Sequence, residues 1–310
     1  MNKVLALAGG VGGAKLVLGL SKILKPEELS IVVNTADDDM FHGLHVSPDV
    51  DTVIYALAGL TNKTTGWGVD GDSFRTLSAL KRLGDETWFQ LGDLDLATHI
   101  KRTSMLRAGK SLSEATQHLA KNLGILHDVI PMSDDSVKTK AITKSEELDF
   151  QDYFVRRKCE PAIQEIKFEG ISTAKPSQQF IDAISQAETI IICPSNPIVS
   201  IAPIIELPGI KELISNFKGK RIAVSPIIGK QALKGPAAKM MMELNEDVSS
   251  IGVAKRYIGI CDWFVIDKAD TEEANEIEKL GMNVHITSTI MNSDEEKIDL
   301  ANKILSLINN

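Results

Sequence analysis

Cysteine is scarce in this chain: three residues in 310, at positions 159, 193 and 261. An odd number at such wide spacing supports neither a disulfide framework nor a zinc site, and it suits a reducing cytosol. Aromatic residues are few as well, at 5%. Basic residues are outnumbered, 34 Lys and Arg against 42 Asp and Glu, which leaves a formal net charge of −8. No general basic face is on offer to duplex nucleic acid or to an anionic membrane. An anionic ligand must therefore be held by a local site. Long hydrophobic runs are missing too. Only five apolar or small residues follow Met1-Asn2-Lys3 before a glycine cluster, too few for a signal-peptide core. No later run approaches the length of a membrane span. A soluble, cytoplasmic protein is expected.

What is present is alternation. Val4 to Ala8 is an apolar run ending in Gly9-Gly10-Val11-Gly12-Gly13, followed by helix-like Ala14 to Leu24 and apolar Ile31 to Val33. Strand, glycine turn, helix and strand read as a βαβ unit. Thr189 to Cys193, Arg221 to Val224, Trp263 to Ile266 and Val284 to Ile286 read as further buried strands. Helical patterns near 208–217, 236–245, 271–280 and 294–308 separate them. This predicts an α/β fold with a doubly wound, mostly parallel, Rossmann-like sheet. Residues 72–125 read as helical, with Ser111 to Glu114 as a capping box and Gly124 as a stop. From 132 to 187 the pattern is mixed and polar. A single α/β domain over 1–310 is expected, with approximately 72–187 inserted as a helical and mixed region.

In a doubly wound sheet, ligands sit outside the carboxyl ends of the strands, near helix N-termini. Gly9 to Gly13 lies at such an end, where glycines let backbone amides approach a phosphate. A P-loop would need Gly and Ser or Thr where Ala14 and Leu16 stand, and the dinucleotide fingerprint would need Gly in place of Lys15. An ordinary P-loop nucleotidase or nicotinamide dehydrogenase is disfavoured. A phosphate site of another family is preferred over a bare strand–helix turn.

Asp37-Asp38-Asp39 follows the second strand, and His42 to Thr52 leads into a helix. Carboxylates here suit Mg²⁺, which takes oxygen ligands and shares them with substrate phosphates. Helix capping alone also accounts for Asp51. Asp39 reads as a solvated loop residue, and His42 and His45 as polar loop histidines. In Trp88-Phe89-Gln90 the two rings suit stacking on a flat ligand and the amide suits its polar edge, with core packing the equal alternative. His99, Arg102 and Thr103 fall on nearby helical turns and suit an anion. Cys193 to Pro197 and Ser225 to Gly229 end buried strands and share the crevice if the strands are parallel. Asn196 then suits a base or ribose, and Ser225 with the amides up to Gly229 suits phosphate. Gly235-Pro236 starts a helix, with Pro at its first position. Lys230, Lys234 and Lys239 make a small cationic group. Cys193 and Cys261 read as core residues.

In order along the chain, Ala8 to Gly13, Val33 to Asp38, Ser47 to Thr52, Trp88 to His99, Pro131 to Asp135, Asn196-Pro197 and Lys234 to Pro236 resemble the 2-phospho-L-lactate transferases of coenzyme F420 biosynthesis. The resemblance covers nearly the full length. It implies that a ribityl hydroxyl of the deazaflavin Fo attacks the phospholactyl phosphorus of lactyl-2-diphospho-5′-guanosine, with Mg²⁺ assisting and GMP leaving. It implies Asp37, Asp38, Asp49 and Asp51 as metal ligands, with Asp51 and Asp49 catalytic. Gly9, Gly10, Gly12, Gly13, Asn196, Ser225 and Gly229 would hold the nucleotide. Asp51, Trp88 and Gln90 would meet Fo. A homodimer is expected. The runner-up is a regulatory protein of the same superfamily that binds nucleotide-sugars or dinucleotides without transfer.

Overall fold

In the computed structural model, which describes residues 3–229, 231–232 and 235–309, the apolar runs assemble into one seven-stranded sheet. In chain order its strands are β1 (Val4–Ala8), β2 (Leu29–Val33), β3 (Asp128–Pro131), β4 (Thr189–Ile192), β5 (Lys220–Val224), β6 (Trp263–Asp267) and β7 (Asn283–Thr287). The spatial order is β7-β6-β5-β4-β1-β2-β3, and every neighbouring pair is parallel. The chain starts in the middle, winds outward through β2 and β3, then returns to the other side of β1 and winds outward again. The point of reversal lies between β1 and β4.

Both sheet faces are covered, so the strands are continuously apolar rather than alternating in polarity. Period-two geometry still sorts β1: Leu5 and Leu7 enter one core, while Val4, Ala6 and Ala8 enter the other. The second core is closed by α1 (Gly10–Ser21), α2 (Pro48–Leu57) and the C-terminal helix Asp294–Ser306, through Leu16, Leu20, Val53, Ile54, Leu300 and Ile304. Sequence-expected strands and helices recur with small shifts of boundary. Among the described residues, no helix is long and apolar enough to cross a membrane.

Two features depart from the sequence reading. The 72–187 region is not one inserted unit, because β3 lies inside it and pairs with β2 at the sheet edge. Before β3 stand α3 (Arg75–Arg82), α4 (Asp93–Arg107) and α5 (Leu112–Asn122), the last with the expected Ser111–Glu114 capping box. After β3 comes an antiparallel three-stranded sheet of Glu147–Asp149, Lys138–Thr143 and Ile163–Glu169. The stretch around His42 is also ordered, as a hairpin of Asp39–Phe41 and Leu44–Val46 that turns through His42 and Gly43 at φ 51° and 73°. Lys230 and Lys234 lie outside the described residues. Lys239 is paired with Glu243 and sits 6.0 Å from the centre of the Tyr153 ring.

Candidate active site

A cavity of about 640 Å³ opens at the reversal point, against the carboxyl ends of the strands. Gly9 to Gly12 after β1, Asp37 after β2, Pro194 to Asn196 after β4, Ser225 and Pro226 after β5, and Thr289 after β7 all line it. The parallel winding brings these loops together.

The glycine turn has two jobs. Gly9 caps α1 and its N–H donates to Ser195 Oγ at 3.0 Å, while the Gly10 N–H, on a residue at φ 58°, donates to Asp49. The N–H groups of Val11 and Gly12 have no intrahelical acceptor at the helix start, and both residues line the cavity. A Cβ on Gly12 would lie 2.2 Å from the Pro194 carbonyl oxygen, and one on Gly13 2.4 Å from Ser195 Oγ. Those two glycines therefore seat α1 against the β4 loop. The amides, not the absent side chains, are what the cavity receives.

The other nucleotide candidates divide. Asn196 lines the cavity, but its Oδ1 accepts from the N–H groups of Ile198 (2.9 Å) and Val199 (3.3 Å), capping the π-helical turn Pro197–Ile201. One N–H of its Nδ2 donates to Met240 Sδ at 3.7 Å, and the amide carries a second. Ser225 lines the cavity with its hydroxyl donating to the Ile227 carbonyl and close to Ser250 Oγ. The Gly229 amide donates to Asp270 at 2.8 Å, and Gly229 is not among the lining residues.

The carboxylates fall into two sets. Asp37 and Asp49 are buried and line the cavity. Asp37 accepts from Thr139 Oγ1 at 3.0 Å, and Asp49 from Asn34 Nδ2 at 3.0 Å, the Gly10 amide and Ser200. Burial first, then the negative charge of Asp49, pushes Asp37 well above the usual carboxylate range. Burial, with Asp38 adding to it, pushes Asp49 up to about 6. Asp38 lies behind them, with Oδ2 accepting from Ser47 at 2.6 Å and 2.8 Å from His45 Nε2. Its Oδ1 is buried without a partner. Among the described residues no three acidic, His or Cys side chains form a ready metal cage. Asp37 and Asp49 instead make a pair that repels itself and fits a cation shared with phosphate oxygens.

Asp51, two residues on, is in another situation. The guanidinium of Arg102, 0% exposed, grips both its oxygens: Nη2 meets Oδ1, and Nη1 meets Oδ2 at 3.1 Å. His99 Nδ1 is 3.6 Å from Asp51 Oδ2, and its Nε2 is 3.1 Å from Asp95 Oδ1, which accepts from Tyr55 O–H at 2.6 Å. Burial would raise Asp95, but the hydrogen bond and charge of His99 outweigh it and hold this carboxyl below its ordinary value. The anion that sequence reasoning sought for His99 and Arg102 is thus the protein's own Asp51. With both oxygens on a guanidinium, Asp51 is poorly disposed to ligate a metal, and Asp38 faces away from the large cavity. Tyr55 was legible as the residue one turn beyond Asp51, and Asp95 as one turn before His99.

Trp88 and Gln90 also separate. Gln90 and Phe89 line the cavity; Trp88 does not. Trp88 packs edge-on against Phe41 and Phe89, with Arg156 5.7 Å over its ring. It is core to this small cluster. Aromatic lining comes instead from Tyr55, Trp67, Phe89, Phe150 and Phe154, of which sequence reasoning singled out only Phe89. Trp67 carries a visible signal, an aromatic residue alone in a glycine-rich polar stretch.

Comparison with known proteins identifies the family. The family model described as 2-phospho-L-lactate transferase CofD matches residues 4–303. The chain is 42% identical to the 2-phospho-L-lactate transferase of Methanocaldococcus jannaschii, over 97% of each chain. It is 41% identical to that of Methanococcoides burtonii, over 99% of this chain and 100% of the relative. A crystal structure of a UPF0052 family member from Bacillus halodurans is similar with a TM-score of 0.64, covering 98% of this chain and 99% of that one. At 18% identity, that likeness concerns the fold.

Proposed function

The chain belongs to the 2-phospho-L-lactate transferase family, and from that premise we propose that it transfers the 2-phospholactyl group of lactyl-2-diphospho-5′-guanosine to a ribityl hydroxyl of Fo. The products are F420-0 and GMP. The observation that carries this reading is the self-repelling Asp37–Asp49 pair beside the α1 amides in one cavity. A site with excess buried negative charge beside free amides suits a diphosphate that arrives with a divalent cation.

Asp37 and Asp49 would hold Mg²⁺, which when bound supplies neutralising charge at the phosphate oxygens. The amides of Val11 and Gly12 bind the diphosphate from its other side. Asn196 donates through Nδ2 to the nucleoside. Asp51, held at both oxygens by Arg102, accepts a hydrogen bond from the attacking hydroxyl and aims that hydroxyl's oxygen at phosphorus. A loose phosphoryl transition state asks for alignment more than for a strong base, so a clamped carboxylate suffices. The test is incubation of the purified protein with Fo, the lactyl donor and Mg²⁺, with and without a chelator. F420-0 and equimolar GMP are expected, and neither with the chelator. GDP binding without any Fo binding or GMP release overturns the reading.

A further inference from the structure

We infer that Trp67 selects the acceptor, by stacking on the flat ring of the molecule that brings the hydroxyl; this rests on the transferase reading above. Trp67 sits at the tip of a loop closed by the antiparallel bridge Thr61–Val69 and pinned inside by Asn62. Asn62 N–H donates to the Gly68 carbonyl at 3.0 Å, and its own carbonyl accepts from Gly66 N–H at 2.8 Å. The chain turns at Gly66 and Gly68, both at positive φ, so the indole between them is thrown outward. It is 47% exposed, and it lines the cavity. Among the described residues it enters no ring–ring or cation–π pair, and its indole N–H has no protein partner. A large aromatic surface left uncovered at a cavity wall, with a spare donor at its edge, is disposed toward a ligand rather than toward the fold.

The rest of the cavity supports the assignment. Phe154 and Phe89 also line it, and both are already backed by protein rings: Phe154 stacks on Phe150 and Phe89 on Phe41. Those two rings are rigid walls. Trp67 is the one of the three with no protein ring stacked on it, which leaves a face for a ring that enters. The nucleotide end, in contrast, has its own lining of α1 amides, Asn196, Pro194 and Pro226. Trp67 should therefore weigh on the acceptor and not on the donor.

The experiment compares wild type with Trp67→Ala and Trp67→Phe. Fo binding is followed by its own fluorescence, GDP binding by calorimetry, and steady-state kinetics give separate KM values for Fo and the lactyl donor. Loss of one aromatic stack should raise the Fo Kd and KM roughly 10- to 100-fold in the Ala variant. The Phe variant should recover most of that loss. The GDP Kd and donor KM should move less than about 2-fold, and the melting temperature should hold, because the ring packs on little. An unchanged Fo Kd in Trp67→Ala, with wild type binding Fo and turning it over, overturns this inference alone. Equal weakening of Fo and GDP overturns it as well, in favour of a structural role for the loop. Wild type that binds no Fo removes the transferase reading and this assignment with it.

Discussion

Asp49 and Asp51 stand two residues apart near the start of α2, both buried and both on the cavity wall. Asp49 has only neutral donors around it, and burial first, with the charge of Asp38 adding to it, holds its proton more tightly than usual, to about 6. Asp51 meets a guanidinium that has no exposure of its own. A step of two residues turns a helix by roughly 200°, which is enough to send neighbouring carboxylates into opposite surroundings. One end of the cavity carries surplus negative charge and so calls for a cation. The other brings its own cation and is preset for a neutral polar group. Identical side chains in one short motif thus take different chemistry from what the rest of the fold places beside them.

The largest expected effect breaks the uncompensated end. Asp49→Asn should lower F420-0 formation by about 10³-fold or more, since charge at the phosphate would go unneutralised. The same variant should be more stable than wild type in the absence of Mg²⁺. Its sign follows from the direction of the shift. A carboxyl whose folded pKa is raised, here from 3.8 to about 6, binds its proton more tightly when folded. At pH 7 the ionised group costs the folded state on the order of 2–3 kcal/mol, and that cost disappears as pH falls through 6 toward 3.8. Thermal melts with chelator at pH 7 and pH 5 should therefore show the Asn advantage shrinking on acidification. No gain at pH 7 would mean that Asp49 is already neutralised within the protein.

Breaking the compensated end should behave in the opposite way. Asp51→Asn leaves the Arg102 guanidinium buried without its counter-charge, a loss of about 3–5 kcal/mol when one partner of a buried pair is removed. Helix capping alone suggested that this change would leave stability nearly untouched, because Arg102, some fifty residues away, carries no local signal of pairing. Transfer should drop by about 10²-fold, and added Mg²⁺ should not restore it. Replacing both partners, as Asp51→Asn with Arg102→Met, should recover part of the stability but none of the activity. Recovery of activity by Mg²⁺ in the single variant would return Asp51 to the metal.

A milder probe of that end is Asp95, whose folded pKa is lowered. Here burial is outweighed by His99, Tyr55 and Arg102. A depressed carboxyl stabilises the fold above its unfolded pKa and loses that contribution as pH falls through the folded value. Asp95→Asn should cost about 1–2 kcal/mol at pH 7 and progressively less in strong acid, the reverse of the Asp49 slope. Parallel slopes for the two variants would dissolve the contrast between the two ends.

How much of this could be read from the residues alone follows from the same contrast. The sheet was legible because Val4–Ala8, Thr189–Ile192 and Lys220–Val224 are apolar runs bounded by turn residues, a local signal. The cavity's position followed from the parallel winding. β3 escaped because Asp128–Pro131 is four residues ending in Pro, next to a helical stretch. Which carboxylate faces which partner was not legible, since Asp51–Arg102 and Asp37–Thr139 join segments far apart in sequence. For Trp88, cavity and core packing stood as equal alternatives for a related reason. Phe41, on the hairpin, lies in a segment read as loop, so its packing on Trp88 had no sequence signature.

The smallest effect comes from a third charge pair, at the rim. Arg156 Nη2 lies 2.8 Å from Glu86 Oε1 and its guanidinium rests over Trp88, tying the π-helical turn Asp152–Arg156 to the Trp88 loop. Both partners are largely exposed, so water and salt screen the pair, and its worth should be under about 1 kcal/mol. The cation–π contact adds a similar fraction at an exposed site. Phe89 keeps its place without that tie, because it stacks on Phe41 with ring centres 3.9 Å apart. Arg156→Gln should thus shift the melting temperature by no more than a few degrees and leave the Fo KM within about 2-fold. Melting curves at 0.05 and 0.5 M salt should differ less for the variant than for wild type, since only wild type has the pair to screen. A ten-fold rise in the Fo KM would show that the tie shapes the aromatic wall, and that burial is not what separates this pair from Asp51–Arg102.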